Sequence, residues 1–231
     1  RIFPIDGSDT KRGDALDVNM IERWCTASFA VGERVIYQVL SNMPIGVYRL
    51  EVATQKEHQT GCIELYANEG VSYVMSVAEM RKHSVLGEVT DGKLDIGLRS
   101  APGNACRWTT MSDVNLVYYS PVMMLKSVIA EADTLTYGTD DGSLQETLAN
   151  AKSLLSEGEA VDRMSAYHAL KDAIKQYRIA NASEAYPVDM TEKVKNASLD
   201  MCNTTNWAVT SSDAGYPMFN MGVAEFYHSS F

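Results

Sequence analysis

Residues 34–53 read RVIYQVLSNMPIGVYRLEVA and determine the fold class. The first seven residues are rich in β-branched and aromatic side chains, which favour strands. A turn follows at residues 41–46, because Pro44 fixes φ and Gly46 allows a positive φ. Beyond the turn the side chains alternate between two faces, with Val47, Arg49 and Glu51 on one and Tyr48, Leu50 and Val52 on the other. This alternation predicts a half-buried strand.

Four more segments before residue 120 have the composition of strands and are separated by Gly, Pro or Asn. They are residues 62–67, 71–77, 93–98 and 114–119. Many short strands without a helical period between them predict an antiparallel β-sandwich. Its core is expected to hold five large side chains, each contributing about 1.5 to 3 kcal/mol when buried. They are Phe29, Tyr37, Leu40, Tyr48 and Leu50.

The composition changes at Pro121, where a helical segment begins. Apolar residues recur at the i, i+3, i+4, i+7 spacing of an amphipathic helix over residues 125–132 and again over residues 144–155. A third helix carries Met164, Tyr167, Leu170, Ala173, Ile174 and Tyr177 on one side. Three such helices joined by short polar loops predict a small bundle over residues 121–183.

The second helix carries its own start and stop signals. Ser143 and Glu146 have the spacing of a capping box, in which each side chain accepts a hydrogen bond from the other residue's backbone N–H. Gly158 is suited to end the helix. We therefore expect the second helix to run from Ser143 to Gly158.

The end of the chain repeats a stretch near its start. Residues 220–231, NMGVAEFYHSSF, align with residues 19–29, NMIERWCTASF, and residues 207–213 align with residues 3–9. A period of about 200 residues matches a whole domain plus a spacer. We expect three parts: a β-sandwich module over 1–120, a three-helix spacer over 121–183, and the N-terminal part of a second β-sandwich module over 184–231.

Charge and hydropathy argue against a nucleic-acid partner and against a membrane-spanning segment. The chain carries a formal net charge of -10 and has no cluster of Lys and Arg, which nucleic-acid phosphates require. It also contains no run of about 18 apolar residues, the length of a membrane-spanning helix. We therefore expect neither nucleic-acid binding nor a membrane-spanning segment.

The four cysteines do not form a CxxC pair. Cys25, Cys62 and Cys106 lie in the first half of the chain and Cys202 in the tail. A disulfide framework would more naturally give an even count in each module, so we expect buried free thiols. A bridge between Cys62 and Cys106 is the alternative, because their segments are candidates for neighbouring strands.

The strand-type pattern returns after residue 187, and here the sequence resembles a known family. Asn196-Ala197-Ser198-Leu199, preceded by Val188 to Thr191 and followed by Asn206-Trp207, resembles the opening strand of galactose-binding-like jelly-roll modules in bacterial surface proteins. Three residues depart from that pattern: Ala197 replaces Pro, Leu199 replaces Phe and Asn206 replaces Gly.

The first module resembles the same family at more positions. They are Glu22 to Trp24, Ser28-Phe29, Tyr37-Gln38, Leu40 to Pro44, Gly46, Tyr48, Leu65 to Asn68, Trp108, Asp113, Leu116 and Tyr118. The helical segment resembles the three-helix spacers found between such modules. The resemblance implies a jelly roll, a carbohydrate-binding role and a secreted or cell-surface location. Because these motifs are mostly structural, they specify the fold better than the ligand.

Six side chains are candidates for binding a sugar. Sugar sites combine an aromatic face, which covers the C–H side of the ring, with amide, carboxylate or guanidinium groups that satisfy its hydroxyls. The candidates are Glu22, Trp24, Tyr66, Asn68, Arg107 and Trp108. The sequence alone favours a different role for the two tryptophans, in the core or at its rim.

No catalytic pattern is present. The four histidines have no i, i+4 spacing, there is no GxSxG motif, and Asp140-Asp141 precede a helix, where solvation and the helix dipole account for them. We therefore expect no metal and no cofactor, and a chain that is not an enzyme, although it is compatible with the accessory part of a larger glycosidase.

The prediction for function is a non-catalytic carbohydrate-binding module of a secreted or cell-surface bacterial protein. The alternative is a structural or adhesive repeat whose partner is a protein or another copy of itself. An exposed aromatic cluster on one sandwich edge would favour a glycan, and a flat apolar patch would favour a protein.

The alignment of the two modules also predicts self-association. The first module starts at the position equivalent to Trp207, so it is expected to lack the strand that the second copy carries at residues 188–202. A missing strand leaves unpaired amides and carbonyls at a sheet edge. We expect residues 188–231 to complete a first-type module, either by folding back on their own chain or by strand exchange with a neighbouring copy.

Light scattering on the isolated chain distinguishes these two versions. A rigid three-helix spacer holds the tail away from the first module and favours exchange, which would give dimers or larger assemblies. A monomer with residues 188–231 ordered would leave only the intramolecular version. A monodisperse monomer in which those residues are disordered would rule out both.

Overall fold

A computed structural model describes most of the chain. The described residues are 2–3, 20–57, 62–74, 79–101, 106–195, 197, 206–208, 218–220 and 223–225. The strands are β1 (Ile2–Phe3), β2 (Met20–Trp24), β3 (Arg34–Ser41), β4 (Gly46–Lys56), β5 (Ile63–Ala67), β6 (Gly70–Tyr73), β7 (Arg81–Val89), β8 (Lys93–Ser100), β9 (Trp108–Tyr119), β10 (Met218–Asn220) and β11 (Val223–Glu225). The helices are α1 (Pro121–Asp133), α2 (Ser143–Glu157) and α3 (Ala160–Ala180), with a 3-10 helix at Thr191–Lys193.

Two antiparallel sheets form the sandwich. The five-stranded sheet has the order β1-β2-β9-β4-β7, and the four-stranded sheet has the order β3-β8-β5-β6. Three helices follow the sandwich. The expected fold class is therefore confirmed: the chain is mainly β, with an antiparallel β-sandwich and an α-helical segment.

The turn between β3 and β4 carries the chain from one sheet to the other. Strand β3 pairs with β8, whereas β4 pairs with β7 and β9. Gly46 adopts a φ of +147°, and a Cβ there would lie 2.6 Å from the Tyr119 carbonyl oxygen. The Tyr48 hydroxyl donates a hydrogen bond of 2.9 Å to the Pro44 carbonyl. These contacts fix the crossing, which places β3 and β4 in different sheets.

The alternation predicted for β4 is confirmed. Tyr48, Leu50 and Val52 are buried in the core between the sheets. Phe29 is also buried, and Leu40 packs against the core from its margin.

Tyr37 was predicted to be a core residue, and that prediction is wrong. Its side chain is 53% exposed. Tyr37 pairs with Gly97 and Ile36 with Leu98, and Ile36 is buried. Because neighbouring side chains of a strand face opposite ways, Tyr37 lies on the outer face of the four-stranded sheet.

The free thiols expected from the sequence are confirmed for three cysteines. Cys25, Cys62 and Cys106 carry thiols that are not in disulfides, and the latter two are buried. Burial raises the pKa of the Cys106 thiol, and this thiol donates a hydrogen bond of 3.1 Å to the Trp108 carbonyl. Cys202 lies outside the described residues.

The three helices form a bundle with one shared core. Helix α1 starts with Ser120 as its N-cap, and its hydroxyl accepts from the Met123 amide at 3.3 Å. The buried side chains are Leu125, Val128, Ile129, Ala132, Leu144, Leu148, Ala151, Ala166, Leu170, Ile174 and Tyr177. The apolar stripes predicted for the helices therefore do face one another.

The capping box predicted for α2 is wrong. Its N-cap is Gly142, in a left-handed conformation with φ of 99°, and no side chain caps the helix from that position. Asp140 instead accepts from the amides of Leu144 and Gln145, at 3.3 and 3.1 Å. Its carboxylate reaches the free amides of the first turn and takes the place that the box would have filled.

The end of α2 and the start of α3 carry two further end signals. Gly158 does end α2, as predicted, although in an extended conformation with φ of -74°. A capping box is present at α3, between Glu159 and Asp162.

A tyrosine stack closes one end of the bundle. Tyr137 stacks on Tyr186 with ring centroids 3.9 Å apart and meets the edge of Tyr177 at 5.7 Å. Asn181, at the end of α3, accepts from the Thr139 amide at 2.8 Å and donates to the Thr139 carbonyl at 3.0 Å. The α1–α2 loop and the segment after α3 are thus both fastened to the bundle.

The described part of the tail has two local structures. Thr191–Lys193 form a turn of 3-10 helix, where the family resemblance places part of an opening strand. Strands β10 and β11 pair with each other in a separate two-stranded sheet. Residues 196 and 198–205 of the expected strand region lie outside the described residues, so completion of the first module by the tail stays a prediction. Within the described ranges, no helix combines the length and apolar character needed to cross a membrane.

The bundle is expected to fold on its own. Residues 120–187 contain the Ser120 cap, the buried helix core and the tyrosine stack. As an isolated fragment they should show helical circular dichroism and a cooperative melt. Leu170→Ala should lower the free energy of unfolding of that fragment by about 2 to 5 kcal/mol, because it opens a cavity in the shared core. A fragment without helix would instead make the segment a linker ordered by its neighbours.

Candidate functional site

The structure separates the six candidate residues into two groups on different sheets. Glu22, Trp24, Arg107 and Trp108 lie at or next to the paired strands β2 and β9 of the five-stranded sheet, and we call them the edge cluster. Tyr66 and Asn68 lie at the end of β5 in the four-stranded sheet and line a cavity of about 640 Å³, which we call the cleft.

The register of β2 and β9 builds the edge cluster. Trp24 pairs with Trp108, and Glu22 pairs with Thr110. Residues two apart in a strand share a face, so Glu22, Trp24 and Trp108 project from the same side of the sheet. The Trp108 indole Nε1 donates a hydrogen bond of 2.6 Å to a Glu22 carboxylate oxygen. This bond fixes the half-buried Trp108 ring, whereas Trp24 is 57% exposed.

Two arginines flank the exposed tryptophan. The Arg107 guanidinium donates to Glu57 at 2.8 Å, and its backbone amide donates to the other oxygen of that carboxylate at 2.9 Å. Arg23 donates to the Trp24 carbonyl at 3.1 Å. The edge cluster therefore presents the accessible Trp24 indole beside the hydrogen-bonded Trp108–Glu22 pair. The Arg107 guanidinium is held by Glu57, and the Arg23 guanidinium carbon lies 6.0 Å from the centroid of the Phe29 ring.

The cleft is organised around Tyr66, which is 2% exposed. Its hydroxyl donates to Asp95 at 2.9 Å, and Asp95 pairs with Arg34 at 2.8 Å. The Arg99 guanidinium carbon lies 4.9 Å from the Tyr66 ring centroid, and Arg99 pairs with Glu64 at 2.6 Å. Burial first, and then the hydrogen bond to Asp95, raise the pKa of the Tyr66 phenol, which therefore stays protonated.

Asn68 holds the turn after β5. It adopts a left-handed conformation with φ of 48°. Its amide nitrogen donates to the carbonyls of Glu88 and Lys93, at 2.7 and 3.1 Å, and its side-chain oxygen accepts from the Asp95 amide at 2.8 Å. The polar atoms of Asn68 are thus engaged with the backbone of two neighbouring segments.

Sequence reasoning missed the charged residues of the cleft. Arg34, Asp95 and Arg99 lie there beside Tyr66, and Arg34 also covers the exposed ring of Tyr37 at 4.2 Å. The signal was present in β8, where Asp95 and Arg99 alternate with buried leucine and isoleucine residues. Across the described residues, no group of three or more His, Cys, Asp and Glu side chains is arranged to hold a metal ion.

No protein-family model and no curated protein match the chain. Among solved structures, it is similar to TmCBM61 in complex with beta-1,4-galactotriose, at 15% identity, covering 52% of this chain and 81% of that chain, with a TM-score of 0.37. It is also similar to the EclA C-terminal domain, a sugar-binding protein, at 12% identity, covering 42% of this chain and 76% of that chain, with a TM-score of 0.31.

A third similar structure holds the CBM22-1 and GH10 modules of the Clostridium thermocellum endo-1,4-beta-D-xylanase 10B complexed with xylohexaose. The identity is 11%, the match covers 65% of this chain and 28% of that chain, and the TM-score is 0.37. The matched structures thus include carbohydrate-binding modules, the class that the sequence resembles.

Substitution of Asn68 tests its role in the cleft. Asn68→Ala should lower the free energy of unfolding by about 2 to 3 kcal/mol, because it removes three hydrogen bonds and leaves a left-handed residue without its side-chain support. Urea denaturation measures this loss. Asn68→Gly relieves the backbone strain and should be less destabilising. Unchanged stability in Asn68→Ala would contradict a structural role.

Proposed function

We propose that this chain is a non-catalytic carbohydrate-binding module and that the edge cluster is its sugar site. The observation that carries the proposal is the pair of tryptophans, in which Trp24 is 57% exposed beside a Trp108 ring held by Glu22. A large apolar ring that stays in water is available to stack on the C–H face of a sugar.

Pre-organisation supports this assignment. The Trp108 ring is fixed by a hydrogen bond to Glu22, and the Arg107 guanidinium by its contact with Glu57. A ligand that binds these groups loses little additional side-chain entropy, because they are already ordered. The remaining acceptor of Glu22 and the exposed donors of Arg107 are suited to pair with sugar hydroxyls, as charge-assisted hydrogen bonds.

We further propose that the module belongs to a secreted or cell-surface bacterial protein, in which the three-helix bundle spaces it from a second module. The family resemblance of residues 22–48 and 65–68 supports this placement. The spacing role is also supported by the compact core of the bundle, which is separate from the core of the sandwich.

A glycan array followed by titration of the best ligand tests the sugar site. Trp24→Ala should weaken binding by about 1 to 3 kcal/mol, as expected for loss of a stacking platform, with little change in melting temperature. Trp108→Ala should weaken binding as well, because Glu22 loses its fixed partner. Isothermal titration calorimetry gives the affinities.

Tyr37→Ala is the matched control, because it removes an equally exposed aromatic ring from the other sheet. It should bind as the wild type does. A loss confined to Tyr37→Ala would place the site in the cleft. Absence of binding to every glycan, together with self-association of the chain, would favour the structural or adhesive alternative.

A further inference from the structure

A groove lies on the outer face of the five-stranded sheet, where β4, β7 and β9 meet the first turn of α1. It has a volume of about 440 Å³. Its lining includes Val47, Arg49, Ser84, Leu86, Tyr119 and Met124. This volume falls within the range of about 300 to 1,000 Å³ in which proteins bind small molecules.

The strand registers place the Arg49 side chain between apolar residues of the two neighbouring strands. Arg49 pairs with Leu86 of β7 on one side and with Val117 of β9 on the other. Val47, one step along the same face, pairs with Tyr119. Leu86 is 57% exposed, so this wall is open to solvent. The groove is therefore hydrocarbon and aromatic on its sides, with a guanidinium at its middle.

Arg49 has no partner among the residues that the structure describes. It makes no hydrogen bond or ion pair there, and its buried Nε is unsatisfied. The nearby carboxylates are engaged elsewhere. Glu51 and Asp113 face Lys82, at 3.9 and 3.4 Å, and Glu88 contacts His168 at 2.9 Å.

An unpaired guanidinium beside apolar walls is unfavourable. A buried N–H without an acceptor loses its water without a replacement. A carboxylate supplies the missing acceptors and the opposite charge, because its two oxygens match the fork of the guanidinium N–H groups. A ligand with two negative charges would need a second cation. Lys82 is the nearest cation along β7, and it already has two acidic partners.

We propose that this groove binds a monocarboxylate with an apolar body, the carboxylate lying on Arg49 and the body between Leu86 and Tyr119. Among the described residues that line the groove, Ser84 and Tyr119 are those with a hydroxyl, so a ligand rich in hydroxyls would leave most of its hydroxyls without partners. The ligand therefore differs in class from the glycan proposed for the edge cluster, and the two sites are independent.

Cinnamate is a suitable probe, and the whole chain is used. Titration followed by NMR chemical shifts should show saturable binding of cinnamate, with the shifts centred on residues of the groove. Cinnamamide keeps the apolar body without the charge, and acetate keeps the charge without the body. Both should bind at least about tenfold more weakly than cinnamate.

Variants locate the site. Arg49→Gln should weaken cinnamate binding by about tenfold or more, and Leu86→Ala by a smaller factor. Lys152→Gln is the control, because it removes one positive charge from α2, outside the groove, where Lys152 pairs with Asp133; it should bind as the wild type does. Trp24→Ala should also bind cinnamate normally, so failure of the glycan proposal and failure of this one are distinguishable.

Three outcomes would overturn the proposal. They are no saturable binding of cinnamate, equal binding of cinnamamide and cinnamate, and unchanged binding in a folded Arg49→Gln variant. The comparison of the acid with its amide uses the wild-type chain, so the test stands even where a variant fails to fold. Arg49-dependent self-association without cinnamate binding would show that a second copy covers the groove and would equally overturn the proposal.

Discussion

The pairing of β4 with strands on both of its edges is the constraint on which the sandwich depends. Its backbone is satisfied by β7 on one side and β9 on the other, while Tyr48, Leu50 and Val52 fill the core. These two pairings fix the register of the three strands, so they also fix which side chains lie beside those of β4. Strand β9 carries Trp108 to the edge cluster and leads directly into α1 at Ser120. The groove at Arg49 follows from the same two registers.

A β-bulge in β9 determines which way Trp108 points. The register with β4 shifts between Glu51 and Ala53, where Asp113 adopts a φ of 51°. Before the shift the even-numbered residues of β9 point away from the core between the sheets, and after it the odd-numbered ones do. An added residue reverses the faces of a strand, because its side chains alternate with a period of two. Without the bulge Trp108 would turn toward the core, whereas the sequence alone favoured a position in the core or at its rim.

The sequence could predict those elements that the spacing of apolar residues along the chain encodes. The alternation of residues 47–53 and the apolar stripes of the three helices were sufficient for the two-layer fold and the bundle. It could not predict features that depend on contacts between segments. Tyr37 faces outward because its neighbour Ile36, paired with Leu98, is the one buried in the core. Asp140 caps α2 because its carboxylate reaches the free amides of the first turn. The same holds for the candidate site. Tyr66 and Trp108 were named from residue type, but their placement on different sheets depends on contacts far apart in sequence.

The position of the bundle leaves the edge cluster accessible. Strand β9 has twelve residues, with Trp108 at one end and Tyr119, next to α1, at the other. At a rise of about 3.3 Å per residue, these ends lie roughly 35 Å apart. The bundle also meets the sandwich at His168 and Glu88, and Glu88 pairs with Val47 near the same end of the sheet. The bundle is therefore attached at the end of β9 opposite Trp108, and Trp24, the strand partner of Trp108, lies at the far end of the sandwich from that attachment.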